Sequence, residues 1–122
     1  AVTVDHLEAF AQAWNRHDLD ALMSFMSDDC VFHTWTGPDA AGTRHIGREA
    51  VRAAYGKAWV DFPDARWPRA RHFVSGRRGV SEWTFVGTRA SDGRRVEVDG
   101  CDLFTFHGGK IRVKDSWRKS RP

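Results

Sequence analysis

Apolar residues recur at a helical spacing in the first half of the chain and at alternate positions in the second. The change of period near Trp67 sets the expected architecture. Leu7, Phe10, Ala11 and Trp14 share one helical face, and Thr3 ahead of them can cap the first turn. Asn15-Arg16-His17 interrupts that pattern. Asp18 then suits the N-cap of a short second helix with Leu19, Leu22, Met23 and Met26 turned inward. Cys30 to Trp35 reads as a short β-rich stretch and Gly37 to Gly42 as a loop. Gly47 precedes a third helix presenting Val51, Tyr55, Trp59 and Phe62. That helix stops before Pro63, whose ring disfavours helical geometry in the residue ahead of it.

Four strands follow, at about 67–75, 80–90, 94–106 and 110–118. Gly76-Arg77-Arg78-Gly79, Asp92-Gly93 and Gly108-Gly109 separate them. Asp-Gly and Gly-Gly tolerate the positive φ that tight hairpins require. Centring each turn on these residues gives a register: Phe106 opposite Ile111, Phe104 opposite Val113, Asp102 opposite Asp115, Phe85 opposite Gly100, Trp83 opposite Asp102 and His72 opposite Trp83. Alternation then places Val74, Phe85, Val98, Phe104, Phe106, Ile111, Val113 and Trp117 on a buried face. Arg69, Arg71, Glu82, Thr84, Glu97, Asp99, Thr105, Arg112 and Lys114 fall on the other. The expected fold is α+β: three N-terminal helices packed in the concave face of a curved antiparallel sheet, a cone-shaped α+β barrel. A single domain spanning residues 1–122 is expected to enclose a pocket for a small hydrophobic molecule.

That register lines up His72, Trp83, Asp102 and Asp115, one from each strand, on the apolar face. Two opposed carboxyl groups in such a setting cannot both ionise cheaply, so at least one is expected to titrate high. A carboxyl so placed can take a proton from carbon or oxygen, or donate one to a developing oxyanion. Asp102, Asp115 and His72 are the candidate catalytic residues. Trp14, Thr34, Tyr55, Trp59, Trp83, Phe104 and Trp117 are the candidate substrate-binding walls, with the choice between His33 and Thr34 as the inward residue left open. The blander alternative is that inward aspartates bind only backbone amides or an arginine. No phosphate-cradling glycine loop, nucleophile elbow or His-Glu-x-x-His helix occurs, and no spacing demands a metal, so no cofactor is expected.

Composition narrows the setting. Six tryptophans and eight phenylalanines in 122 residues suit a cavity that receives a flat, greasy ligand. Two cysteines, Cys30 and Cys101, are too few for a disulfide framework. No apolar run reaches the roughly 20 residues of a membrane span, and the first thirty do not read as a signal peptide, so a cytoplasmic protein is expected. Net charge is +3, with both signs interspersed except in a basic tail of Arg112, Lys114, Arg118, Lys119 and Arg121. That tail reads as a solvated strand edge, not a nucleic-acid surface. Phe73, Val80, Val86 and Leu103 interrupt the polar face of the sheet and predict a homodimer through it.

Asn15-Arg16-His17-Asp18-Leu19-Asp20, Asp28-Asp29, the run Cys101 to Ile111 and the closing Lys114-Asp115-Ser116-Trp117 carry a resemblance. Over nearly its whole length the chain resembles the nuclear-transport-factor-2-like superfamily, in particular its SnoaL-like polyketide cyclase and ketosteroid isomerase branch. The resemblance implies the fold above. It also implies that Asp102 matches the strand aspartate that ketosteroid isomerases keep protonated to donate to an oxyanion. Phe10 stands where their oxyanion-hole tyrosine would be and Thr34 near their base aspartate, which argues against steroid isomerisation by that route. Asp115 matches a last-strand aspartate of limonene-epoxide-hydrolase-like members, whose partner arginine and aspartate fall near Ser81 and Trp83. Polyketide-cyclase-like members need one pocket aspartate as acid/base and no cofactor, a demand Asp102 meets. The expected function is therefore a cofactor-free isomerase, cyclase or lyase acting on a hydrophobic oxygenated compound. The alternatives are a non-catalytic ligand-binding domain and a dimeric interaction domain of the same fold.

Overall fold

In a computed structural model covering residues 1–122, the first helix, α1 (Val4–Asn15), starts as expected at Thr3. The Thr3 hydroxyl accepts the His6 amide at 3.3 Å, and His6 Nδ1 accepts the Thr3 amide at 3.0 Å. His17 breaks the chain direction with a positive φ of 56°. Asp18 then caps α2 (Leu19–Ser24), accepting the Ala21 amide at 3.0 Å. Met26 is buried but belongs to the sheet, where it opens β1 (Met26–His33). The stretch after the Gly37–Gly42 loop holds a short strand absent from the sequence reading, β2 (Arg44–Ile46). Next comes α3 (Arg48–Asp61), then β3 (Arg66–Ser75), β4 (Arg78–Thr88), β5 (Arg95–His107) and β6 (Lys110–Arg118).

The six strands form one curved sheet in the order β2-β1-β6-β5-β4-β3. It is mixed, not wholly antiparallel, because β1 runs parallel to β6. Parallel neighbours need a long crossover, and here α3 and the whole meander supply it. Leu7, Phe10 and Ala13 of α1, Leu22 and Met23 of α2, and Val51 and Tyr55 of α3 share one core cluster with Cys30, Phe32, Phe104, Phe106 and Ile111 of the sheet. A second cluster gathers Ala65, Phe85, Val96 and Val98 against Trp59, Phe62, Trp67 and Trp83.

Two hairpins differ from the simple reading by two residues. The β3–β4 turn centres on Gly76-Arg77, so His72 faces Ser81. The β4–β5 loop is longer than Asp92-Gly93 alone, so Trp83 faces Gly100 and Ser81 faces Asp102. A two-residue shift keeps every side chain on its face.

The third hairpin differs by one, with larger consequences. Gly108 and Gly109 take φ of 57° and 76° in a tight turn, and Phe106 faces Ile111 as expected. Arg112 is then an extra residue on β6, a β-bulge. Beyond it Phe104 faces Lys114, Leu103 faces Asp115 and Asp102 faces Ser116. A one-residue slip exchanges faces. Lys114 and Ser116 are therefore buried, while Trp117 is 55% exposed.

Candidate active site

The last four strands, β3 to β6, bring His72, Ser81, Asp102 and Ser116 into one row. His72 is held at both ring nitrogens: Nε2 lies 2.9 Å from the Glu8 carboxylate of α1, and Nδ1 lies 2.7 Å from Ser81 Oγ. A carboxylate only accepts, so Nε2 carries the proton, and in the neutral ring Nδ1 accepts from the serine. The Gln12 hydrogen bond, with those of His72 behind it, holds Glu8 below its usual carboxylate range against the opposing effect of burial.

Asp102 is the centre of the site. Its Oδ1 accepts the Ser116 hydroxyl at 2.6 Å, and its Oδ2 accepts the Trp83 indole N–H at 3.1 Å. Lys114 Nζ sits 3.5 Å from Oδ1 and donates to Ser116 Oγ at 3.0 Å. Both members of this ion pair are buried. The ammonium also lies over the rings of Phe32 at 4.4 Å, Trp14 at 5.2 Å and Tyr55 at 5.3 Å, an aromatic cage that returns part of the lost hydration. Burial lowers the Lys114 pKa, and Asp102 pulls it back upward. Burial, with Asp102 adding to it, pushes the Tyr55 phenol well above its usual range. Trp83 is aimed by its neighbour across the strand: a methyl group on Gly100 would sit 2.4 Å from the indole, so only glycine leaves room for it.

A cavity of about 610 Å³ opens beside this row. Of the expected site residues, His72, Asp102, Trp14, Thr34, Trp83 and Phe104 line it. Thr34, not His33, is the inward residue, though its hydroxyl serves its own loop by donating to the Thr36 carbonyl at 2.6 Å. Asp115 is not opposite Asp102; the bulge turns it to the outer face, next to Leu103 and His33. Trp117 is outward for the same reason. Tyr55 is wholly buried in the core, its hydroxyl 3.5 Å from Met26 Sδ. Trp59 packs on His17 with ring centroids 5.0 Å apart and lies off the cavity wall. Lys114, Ser116 and Arg118, read in the sequence as strand edge or passed over, line the cavity instead, as do Ser81, Phe32 and Trp35. No group of three His, Cys, Asp or Glu side chains is placed to hold a metal ion, and no helix is long and apolar enough to cross a membrane.

No curated protein matches the chain in sequence. Solved structures match its fold closely. A Pseudomonas putida protein provisionally named a polyketide cyclase superposes with a TM-score of 0.83 at 19% identity, covering 99% of this chain and 92% of its own. A nuclear-transport-factor-2-like protein of unknown function from Mesorhizobium loti gives 0.76 at 26% identity, covering 93% and 88%. A Catenulispora acidiphila protein with a ketosteroid isomerase-like fold gives 0.77 at 18%, covering 91% and 82%. The SnoaL-like domain model matches residues 7–113, from the first buried leucine of α1 to the strand that carries the bulge. The chain belongs to the SnoaL-like domain family, within the nuclear-transport-factor-2-like fold.

Proposed function

We propose that this domain is a cofactor-free acid–base enzyme of the isomerase, cyclase or lyase type, acting on a hydrophobic oxygenated compound held in the cavity that the helices close over the hollow of the sheet. The observation that carries the reading is Asp102, a buried carboxyl group in the wall of a large, aromatic-lined cavity, with a buried cation beside it. Buried ionisable groups converging on a cavity mark functional sites more often than structural ones. Every group that touches Asp102 is a donor. Its role is therefore that of proton acceptor, unlike the donating acid that the family resemblance implied. Asp102 takes a proton from carbon beside a carbonyl, while Ser116, Trp83 and Lys114 fix its orientation. His72, backed by Glu8, stands two strand spacings away, about 10 Å, on the far side of a bound ring, and exchanges the second proton.

The test needs no knowledge of the natural substrate. Hydrogen–deuterium exchange at the α-carbon of 2-tetralone, followed by proton NMR, should run faster with the protein than in buffer. Asp102→Asn should reduce the catalysed rate by about 10²–10⁴-fold, the usual share of a positioned base. Undiminished exchange in that variant would remove Asp102 from the mechanism, and wild-type exchange no faster than buffer would leave a ligand-binding domain.

We further propose a cytoplasmic homodimer through the outer sheet face, where Phe73 and Trp117 are each more than half exposed; the free thiols of Cys30 and Cys101 suit a reducing compartment. Light scattering should give twice the 13.9 kDa chain mass, and Trp117→Glu should return the monomer. A wild-type monomer would end that part of the proposal.

A further inference from the structure

Two residues beyond Ser116, on the same face of β6, Arg118 brings a guanidinium to the cavity wall. No carboxylate lies within ion-pair distance of it, and its buried Nε–H has no hydrogen-bond acceptor. A buried donor left unpaired is costly, so this N–H is free to meet an acceptor that enters the cavity. Its plane is already set: the guanidinium carbon lies 3.9 Å from the centre of the Trp35 ring and 5.8 Å from that of Phe85.

The surroundings add positive charge. Arg89 lines the same wall, and its partner Asp92 is off it, 3.3 Å away. Around the whole cavity four cationic side chains (Lys57, Arg89, Lys114 and Arg118) face only two carboxylates, Asp61 and Asp102. Each carboxylate is already engaged, Asp61 by Lys57 at 2.7 Å and Asp102 by Lys114. The surplus cation is therefore at the Arg118 end.

We propose that Arg118, stacked on Trp35, is an anion subsite, and that the ligand is a flat, apolar compound carrying a carboxylate. The carboxylate lies against Arg118, and the oxygenated reacting end reaches Asp102. Asp102 faces Ser116, two residues short of Arg118, so two residues of strand and one strand spacing, about 8 Å in all, separate the Cα atoms of Asp102 and Arg118, a span that suits two fused rings. Burial, and then the neighbouring Arg89 charge, work against the protonated form of Arg118, and an arriving anion relieves both. The placement of the ligand rests on the pocket reading above; the anion preference does not require the acid–base chemistry.

The probes are 2-naphthoate and its uncharged methyl ester, titrated by isothermal calorimetry. Wild type should bind the acid at least tenfold more tightly than the ester, and 0.5 M salt should erode that preference. Arg118→Gln should weaken naphthoate by about tenfold or more and leave the ester unchanged, while Arg77→Gln, which removes an equal charge from a remote turn, should alter neither. Equal affinity of wild type for acid and ester, equal losses for both probes in Arg118→Gln, or no measurable naphthoate binding would each overturn the subsite. Exchange of neutral 2-tetralone is measured on the same wild-type preparation. Lost anion preference with exchange intact sinks the subsite alone, and lost exchange with anion preference intact sinks the acid–base reading alone.

Discussion

Lys114→Met is expected to destabilise the fold by about 3–5 kcal/mol, and adding Asp102→Asn should restore much of that loss. Methionine matches the length of the lysine stem and keeps its packing against Phe32, Trp14 and Tyr55, so the cavity term is small. The cost lies in Asp102, which would keep its hydrogen bonds to Ser116 and Trp83 but lose the only cation near it. Neutralising the second partner removes the uncompensated charge, so the two changes should be strongly non-additive in a double-mutant cycle read by urea denaturation. The pH dependence has a definite sign. Lys114 releases its proton in the folded chain below its ordinary 10.5, whereas the unfolded chain still holds it. Through the window below 10.5 the unfolded state therefore binds more protons, and the contribution of this lysine to stability rises with pH. As the pH rises toward 10.5, wild type should gain stability relative to the double variant. A Lys114→Met cost below about 1 kcal/mol would mean that the pair is not the buried ion pair described here.

The architecture was readable because hydrophobic spacing and turn chemistry point the same way. Thr3, Asp18 and Gly47 mark the three helix starts, and Gly108-Gly109 sets its hairpin where expected. Asp102 was legible too, since both shifted turns moved by two residues and left its face unchanged. The parallel pairing of β1 with β6 was not, because no local pattern encodes which distant strand closes a sheet.

The other half of the site was hidden by the bulge. Strict alternation along Ile111, Val113, Asp115 and Trp117 gives an apparently good inward face, and it is the wrong one after the first residue. A warning did exist in the sequence: the simple register set two carboxyl groups opposite each other with no cation near. Like charges directly opposed across strands are unfavourable, and a local conflict of this kind argues against the register that creates it. Slipping one residue exchanges Asp115 for Ser116 and brings Lys114 to Asp102, which resolves the conflict. Tyr55 and Trp59 failed as wall residues for a plainer reason. Helical spacing says that a side chain turns inward, but not whether it meets the cavity or the core beneath it.

Inserting one alanine after Arg112 is expected to cost more than about 4 kcal/mol, enough to abolish cooperative folding in a domain of ordinary stability. With two residues between Ile111 and Val113 and room in the bulge for one, every later residue of β6 moves on by one pairing. Val113 would then replace Lys114 opposite Phe104, and Asp115 would oppose Asp102. Trp117 would be driven toward Gly100, a position already occupied by the Trp83 indole. The change buries two carboxyl groups without a counter-ion, overfills the strand centre and puts the Lys114 charge in solvent, where it stabilises nothing. The Arg112 side chain itself plays no part in this cost. Its ion pair with Asp29 at 3.2 Å is exposed on both sides, so Arg112→Ala, which keeps the bulge, should cost less than about 1 kcal/mol. Thermal unfolding of the two variants separates the explanations. An insertion variant that melts cooperatively near the wild-type temperature would show that the single extra residue at 112 does not set which face Lys114, Ser116 and Arg118 take, and the account of how this sequence builds its site would fail at its first step.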